Sequence, residues 1–214
     1  MKKIKILLII LGVFLLSGCN ITKDSMEDIE IYTTIYPIRY LINSLYGTNS
    51  TINSIYPSGV DPNDFKISDK KIEEYSKTDL FVFNSLDKER DIAVKMLNKN
   101  KKLKIIDVST GMTYDNDIAE LWLNPYNYLM MAENTKKGLL EYIDNPYLIS
   151  NTDGTGIENK YEELKYDLSR LDADIKEKVS LAKYNTVVVD TNLFKYLEKY
   201  NLKVISLEET EELN

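Results

Sequence analysis

The chain has 214 residues, with 27 Lys and Arg against 34 Asp and Glu and a formal net charge of −7. That acidic balance excludes nucleic-acid binding through basic patches and permits a cationic ligand without identifying one. A single Cys excludes an intrachain disulfide, and the sequence contains no His to serve a Ser or Cys nucleophile as base.

The opening "MKKIKILLIILGVFLLSGCN" runs from a basic cluster (Lys2, Lys3, Lys5) through an apolar stretch to Ser17-Gly18-Cys19. It predicts a secretory signal peptide over 1–18, since the apolar part is too short for a membrane span. Small residues before the lone Cys match a bacterial lipobox, the plainer alternative being a signal with an incidental Cys. Cys19 is therefore the expected lipidation site, and two acyl chains would hold the chain on a membrane. Residues 19–28 are polar and unpatterned, as a lipidated tether should be.

"IEIYTTIYP" (29–37) alternates β-branched and aromatic residues and predicts a first strand. Pro37 then opens a helix carrying Ile38, Leu41, Ile42 and Leu45, ended by Gly47. "STINSIYP" (50–57) predicts a second strand, followed by the loop "PSGVDPNDF" (57–65) and a short exposed helix capped by Ser68. "LFVFNS" (80–85) is a continuous apolar run, as in a strand buried on both faces. A helix through 90–97 and a strand at 103–109 complete a β-α-β-α-β-α-β pattern, hence a parallel sheet covered by helices.

After Tyr114 the pattern changes to a helix interrupted near Pro125, then a loop, "DNPYLISNTDGTG". From Ile157 to Val179 apolar residues recur at steps of 4 and 3, which fits a coiled coil or a single long helix laid along a globular body. The second fits better, because no other segment repeats the pattern. "YNTVVVDTN" (184–192) predicts another buried strand, "LFKYLEKYN" (193–201) a helix and "LKVISLEE" (202–209) a strand. The resulting division is 29–125 as an N-terminal α/β lobe, 126–183 as a connecting helical region with the long linking helix near 157–180, and 184–214 as a partial C-terminal α/β lobe. No G-x-S-x-G element or calcium-loop spacing occurs, and an enzyme is not expected.

Taken in order, the lipobox, "TTIYPIRYLINSLYG", the "SGVDPNDF" loop, "ELWLNPYN", the long helix and "VVVDTNLFKYLEKYNLKV" resemble the zinc/manganese solute-binding lipoproteins of bacterial ABC transporters. The resemblance covers 29–207 and implies two α/β lobes with parallel sheets joined by one long helix, the second lobe incomplete. It also implies a non-covalent binding role, a divalent metal ion as transported ligand rather than cofactor, ABC permease and ATPase partners, and a monomer on the extracytoplasmic face of the cell membrane.

In that family three His residues and a late carboxylate hold the metal. The positions equivalent to the His residues are Asn63, Glu120 and Thr191, and Asp61, Asp64 and Asp190 are further candidates for lining the cleft. Zinc favours imidazole, thiolate or carboxylate ligands, whereas two neutral oxygens and one carboxylate suit a hard cation better and hold it weakly. Three readings follow: metal binding, a different solute in the same cleft, or loss of solute binding, as in a degenerate or truncated surface lipoprotein that keeps the frame for protein contacts.

Overall fold

The computed structural model describes residues 25–211. The expected signal peptide and Cys19 lie outside the described residues. The first unit is a parallel sheet of β1 (Ile29–Thr33), β2 (Ser50–Ser54), β3 (Leu80–Phe83) and β4 (Lys104–Asp107), in spatial order β2-β1-β3-β4. Helices α1 (Tyr36–Tyr46), α2 (Asp69–Tyr75) and α3 (Glu89–Lys99) make the crossovers. The strands are shorter than the apolar runs suggested, because the residues beyond them turn out of the ladder. The chain steps outward from β1 to β2, returns past β1 to β3, and continues to β4. β1 and β3 are therefore neighbours from which the chain departs in opposite directions, which leaves a crevice outside their C-terminal ends.

Side chains alternate across a strand, so β3 serves both faces of the sheet. Leu80 and Val82 join Ile31 and the buried face of α1 (Ile38, Leu41, Ile42, Leu45) on one side. Phe81 and Phe83 join Ile72, Ala93 and Met96 on the other. The two Phe rings stack with centroids 5.5 Å apart and planes within 2°. Burying both faces is what makes the run continuously apolar, and truncating Phe81 to Ala would cost about 3–5 kcal/mol. Ser68 caps α2 as the sequence suggested, its hydroxyl accepting from the Lys71 N–H at 3.4 Å.

Beyond β4 the interrupted helix resolves into α4 (Glu120–Leu123) and α5 (Pro125–Tyr142). Asn124 makes the break, its side-chain oxygen accepting from Tyr126 N–H at 3.2 Å, with Pro125 at the first helical position. α5 lies directly on β4: a Cβ at Gly138 would stand 2.7 Å from Ile106 Cγ1. The expected loop at 144–156 contains a short helix, α6 (Pro146–Ile149), opened by Asn145 in the same way, at 3.0 Å from Tyr147 N–H.

The long helix α7 (Ile157–Ser180) buries only Ile157, Tyr161 and Leu164. Its first half joins the main core, whereas Leu171 is exposed. Where the apolar seam loses its cover, polar contacts take over. Asp172 accepts from Lys199 Nζ at 2.8 Å and from the Tyr200 hydroxyl at 2.7 Å. Residues 126–183 thus divide by packing, the part up to Leu164 sharing the first unit's core.

β5 (Thr186–Val189) pairs in parallel with β6 (Lys203–Ser206) through a 3-10 helix, Asn192–Tyr200, and α8 (Leu207–Glu211) follows. Asn201 ends the crossover at φ 68°, a left-handed conformation that Asn tolerates. Here two expectations are corrected. β5 is not a buried strand, since Val188 is 64% exposed and the described residues cover one face of this sheet only. The last expected strand stops at Ser206, where the chain turns into α8. The second lobe is partial, and the whole is an α/β fold of parallel sheets and helices.

Candidate functional site

A cavity of about 610 Å³ opens at the C-terminal ends of the strands. Every strand of the first sheet sends its following loop to this cavity: Ile35 and Pro37 after β1, Pro62 and Asn63 after β2. Asn84, Asp87 and Glu89 come after β3, and Tyr114, Asp117 and Trp122 after β4. Leu193, after β5, closes it from the second unit. This is where parallel α/β sheets place ligands, because there the backbone diverges and loops need not pair.

The "PSGVDPNDF" loop is folded on itself. Asp61 Oδ1 accepts from Asn63 N–H at 2.7 Å, and the Asp61 carbonyl accepts from Asp64 N–H at 3.2 Å and Phe65 N–H at 3.1 Å. Gly59, at φ 79°, supplies the left-handed step. Phe65 sets its ring edge-on to Tyr56, and Lys88 Nζ donates to the Pro62 carbonyl, tying the loop to α3.

Glu89 opens α3 and is only 2% exposed, yet it lines the cavity. It accepts from the Thr34 hydroxyl at 2.7 Å and from Asn84 N–H at 2.8 Å, one donor from beyond β1 and one from beyond β3. It therefore bridges the switch point. Both donors converge on Oε2, leaving Oε1 without a protein donor among the described residues. Burial pushes the Glu89 carboxyl up to about 7; the two donors pull against that rise and Asp87 adds to it. Close by, Asp107 Oδ1 receives Ser85 N–H at 3.1 Å and the Ser109 hydroxyl at 2.7 Å. Burial alone would raise Asp107, but these hydrogen bonds outweigh it and hold the carboxyl below its usual value, locking the ends of β3 and β4 together.

The expected site residues do not converge. Asn63 lines the cavity. Glu120 is 5% exposed and is not among the residues that line the cavity, its carboxylate accepting from Asp115 N–H (3.2 Å), Asn116 N–H (3.2 Å) and Asn116 Nδ2 (2.8 Å). Thr191 Oγ1 accepts from Leu193 N–H at 3.4 Å, capping the crossover. Asp190 is exposed, its carbonyl accepting from Glu208 N–H at 3.3 Å. Asp61 and Asp64 are exposed and serve the loop's own turn. Among the described residues, no three His, Cys, Asp or Glu side chains are grouped to hold a metal ion. Sequence reading missed Asp87, Glu89 and Asp117. The only signal was an acid at a helix start, which looks the same as an ordinary favourable charge at a helix N-terminus.

A fold of this kind, with a cleft at the strand ends and a long helix between two sheets, is that of a solute-binding protein. The profile of the ZnuA family, zinc-uptake complex component A periplasmic, matches residues 31–214, and the chain belongs to that family. It is 25% identical to the zinc-binding lipoprotein AdcA of Streptococcus pneumoniae, over 97% of this chain and 44% of AdcA. It is 27% identical to a metal ABC transporter substrate-binding lipoprotein of Lactococcus lactis, over 89% of this chain and 65% of that protein. The chain thus spans less than half of AdcA and somewhat under two thirds of the Lactococcus relative. The Zn(II)-bound ZnuA-like domain of S. pneumoniae AdcA superposes with a TM-score of 0.67 at 22% identity, over 84% of this chain and 67% of that domain, which shows the shared fold. The relatives are substrate-binding transport components, not enzymes.

Proposed function

We propose that the chain is a lipid-anchored solute-capture component of an ABC importer, held outside the cytoplasmic membrane through Cys19. It works as a monomer that closes its cleft on a solute and delivers it to a permease driven by an ATPase. The observation that carries this reading is the cavity itself, built from the loops after all four strands of the first sheet and touched by Leu193 of the second unit. Movement of the second unit against the first would open and close it.

The relatives' names point to zinc or manganese as cargo, and the chemistry of this cleft argues against tight transition-metal binding. Asn63 and Thr191 offer neutral oxygens, and the Glu120 carboxylate is spent on the Asp115–Asn116 turn. Elemental analysis of dialysed protein should find well under one equivalent of zinc or manganese; one retained equivalent would overturn the ligand argument. Capture for a transporter is tested separately. Tagged chain cross-linked in intact cells should bring down a permease subunit, and failure to do so at native abundance rejects the importer assignment.

A second reading, a surface lipoprotein that uses the same frame for protein contacts, is favoured by the exposed apolar side chains Tyr184, Val188 and Leu207 on the partial unit. The cross-linking experiment separates the two by what is captured.

A further inference from the structure

The charged groups facing the cavity are all acidic. Asp87, Glu89 and Asp117 line it, and among the described residues no Lys or Arg does. Lys88, between Asp87 and Glu89 in the chain, donates to the Pro62 carbonyl. Each acid keeps one oxygen for a local duty and leaves the other without a donor among the described residues. Asp87 Oδ1 accepts from Lys88 N–H at 2.6 Å, and Asp117 Oδ1 accepts from Ala119 N–H at 2.7 Å. Glu89 spends Oε2 on Thr34 and Asn84. Its Oε1 has no donor among the described residues, and because Glu89 is 2% exposed and lines the cavity, a cationic donor there would meet a carboxylate that water solvates little.

Two further features select among cations. The walls carry Tyr114 and Trp122, and an aromatic face attracts an ammonium or a quaternary ammonium group. The cavity, at about 610 Å³, falls within the range that takes a small organic molecule. A bare metal ion needs several donors at about 2.0–2.6 Å around one point. The acids here are not grouped in that way.

We propose that the cavity binds a small organic cation, with an ammonium group donating to Glu89 Oε1 and the carbon skeleton lying along Trp122 and Tyr114. The inference rests on the reading of this cleft as a solute-capture site and names its class of solute. Asp87 and Asp117 supply the surrounding negative potential and receive a second ammonium group where the ligand has one.

The test is calorimetric titration of the purified protein with 1,4-diaminobutane, its neutral isostere 1,4-butanediol, and zinc and manganese ions. Saturable binding of the diamine and none of the diol is expected. Glu89→Gln keeps an acceptor for Thr34 and Asn84, and it should weaken the diamine at least ~10-fold, since a charge-assisted bond is lost. Trp122→Ala should weaken it by ~2- to 30-fold. Asp117→Asn, which retains an acceptor for Ala119 N–H, gives an independent variant and should weaken it a few-fold. Diamine binding unchanged in Glu89→Gln and Asp117→Asn would overturn the proposal by reducing it to diffuse attraction to an acidic surface. Metal binding without diamine binding overturns the organic-cation assignment and leaves solute capture standing. Binding of none of the probes overturns the assignment and removes support from capture as well.

Discussion

Replacing Glu89 by Gln removes a charge while keeping an acceptor for the Thr34 hydroxyl and Asn84 N–H. In the folded chain the Glu89 carboxyl titrates at about 7, against 4.5 for an ordinary Glu. Between those values the folded chain holds a proton that the unfolded chain has released, so the wild type loses stability as pH rises through this window. Below the window both states are protonated and the penalty vanishes; above it both are ionised and the penalty is complete. For a group this deeply buried, the two values give Glu89→Gln almost no stability advantage at pH 4, about 1 kcal/mol at pH 5 and about 3 kcal/mol at pH 8. For a chain of this size the last figure is a rise in melting temperature of roughly 6–12 °C. Paired urea or thermal melts of wild type and variant from pH 4 to pH 8 measure the difference directly, since every other titrating group cancels. A pH-independent difference, or a variant less stable than wild type at pH 8, would refute the claim that Glu89 is buried facing the cavity with one oxygen unpaired.

Gly138→Ala should destabilise the fold by about 1–2 kcal/mol in urea unfolding, although Ala is the better helix former, because the new methyl meets Cγ1 and Cγ2 of Ile106 at 2.7 and 2.8 Å and one rotation cannot clear both. Glu120→Ala should cost about 1–3 kcal/mol by orphaning the donors of Asp115 and Asn116, with loosening of that turn visible as faster amide hydrogen exchange at 115–116. Cys19→Ala should move the protein from the membrane to the soluble fraction on cell fractionation, and unchanged partitioning would contradict the lipobox reading.

Much of the fold was legible because the strongest signals were local. The unbroken "LFVF" run carried its burial on both faces, Pro37 and Pro125 marked helix starts, and Ser68 announced its cap. The long helix was visible from its apolar period, but the period could not say where the body beneath it ended. Leu164 is buried and Leu171 is exposed on the same seam. "TVVV" resembled "LFVF" in composition, yet its exposure depends on what lies across the sheet, which no local window contains.

The site was less legible for a related reason. The "PSGVDPNDF" loop could be recognised as a cleft loop, and it does line the cavity through Pro62 and Asn63. Glu120 and Thr191 stand at the expected chain positions, but their side chains answer nearer demands, a turn and a cap. Glu89 shows the reverse case: by sequence it is an acid at a helix start, and it becomes a buried, half-paired carboxylate only because β1 and β3 lie side by side. Composition and local periodicity were enough to place most strands and helices and to show that no His is present to bind a metal, although they missed the short helices at Pro146–Ile149 and Leu207–Glu211. Which acids share a cavity, by contrast, is set by the packing of distant segments. Desolvation depends on neighbours brought from loops far apart in the chain, and that proximity is fixed by the order of strands in the sheet.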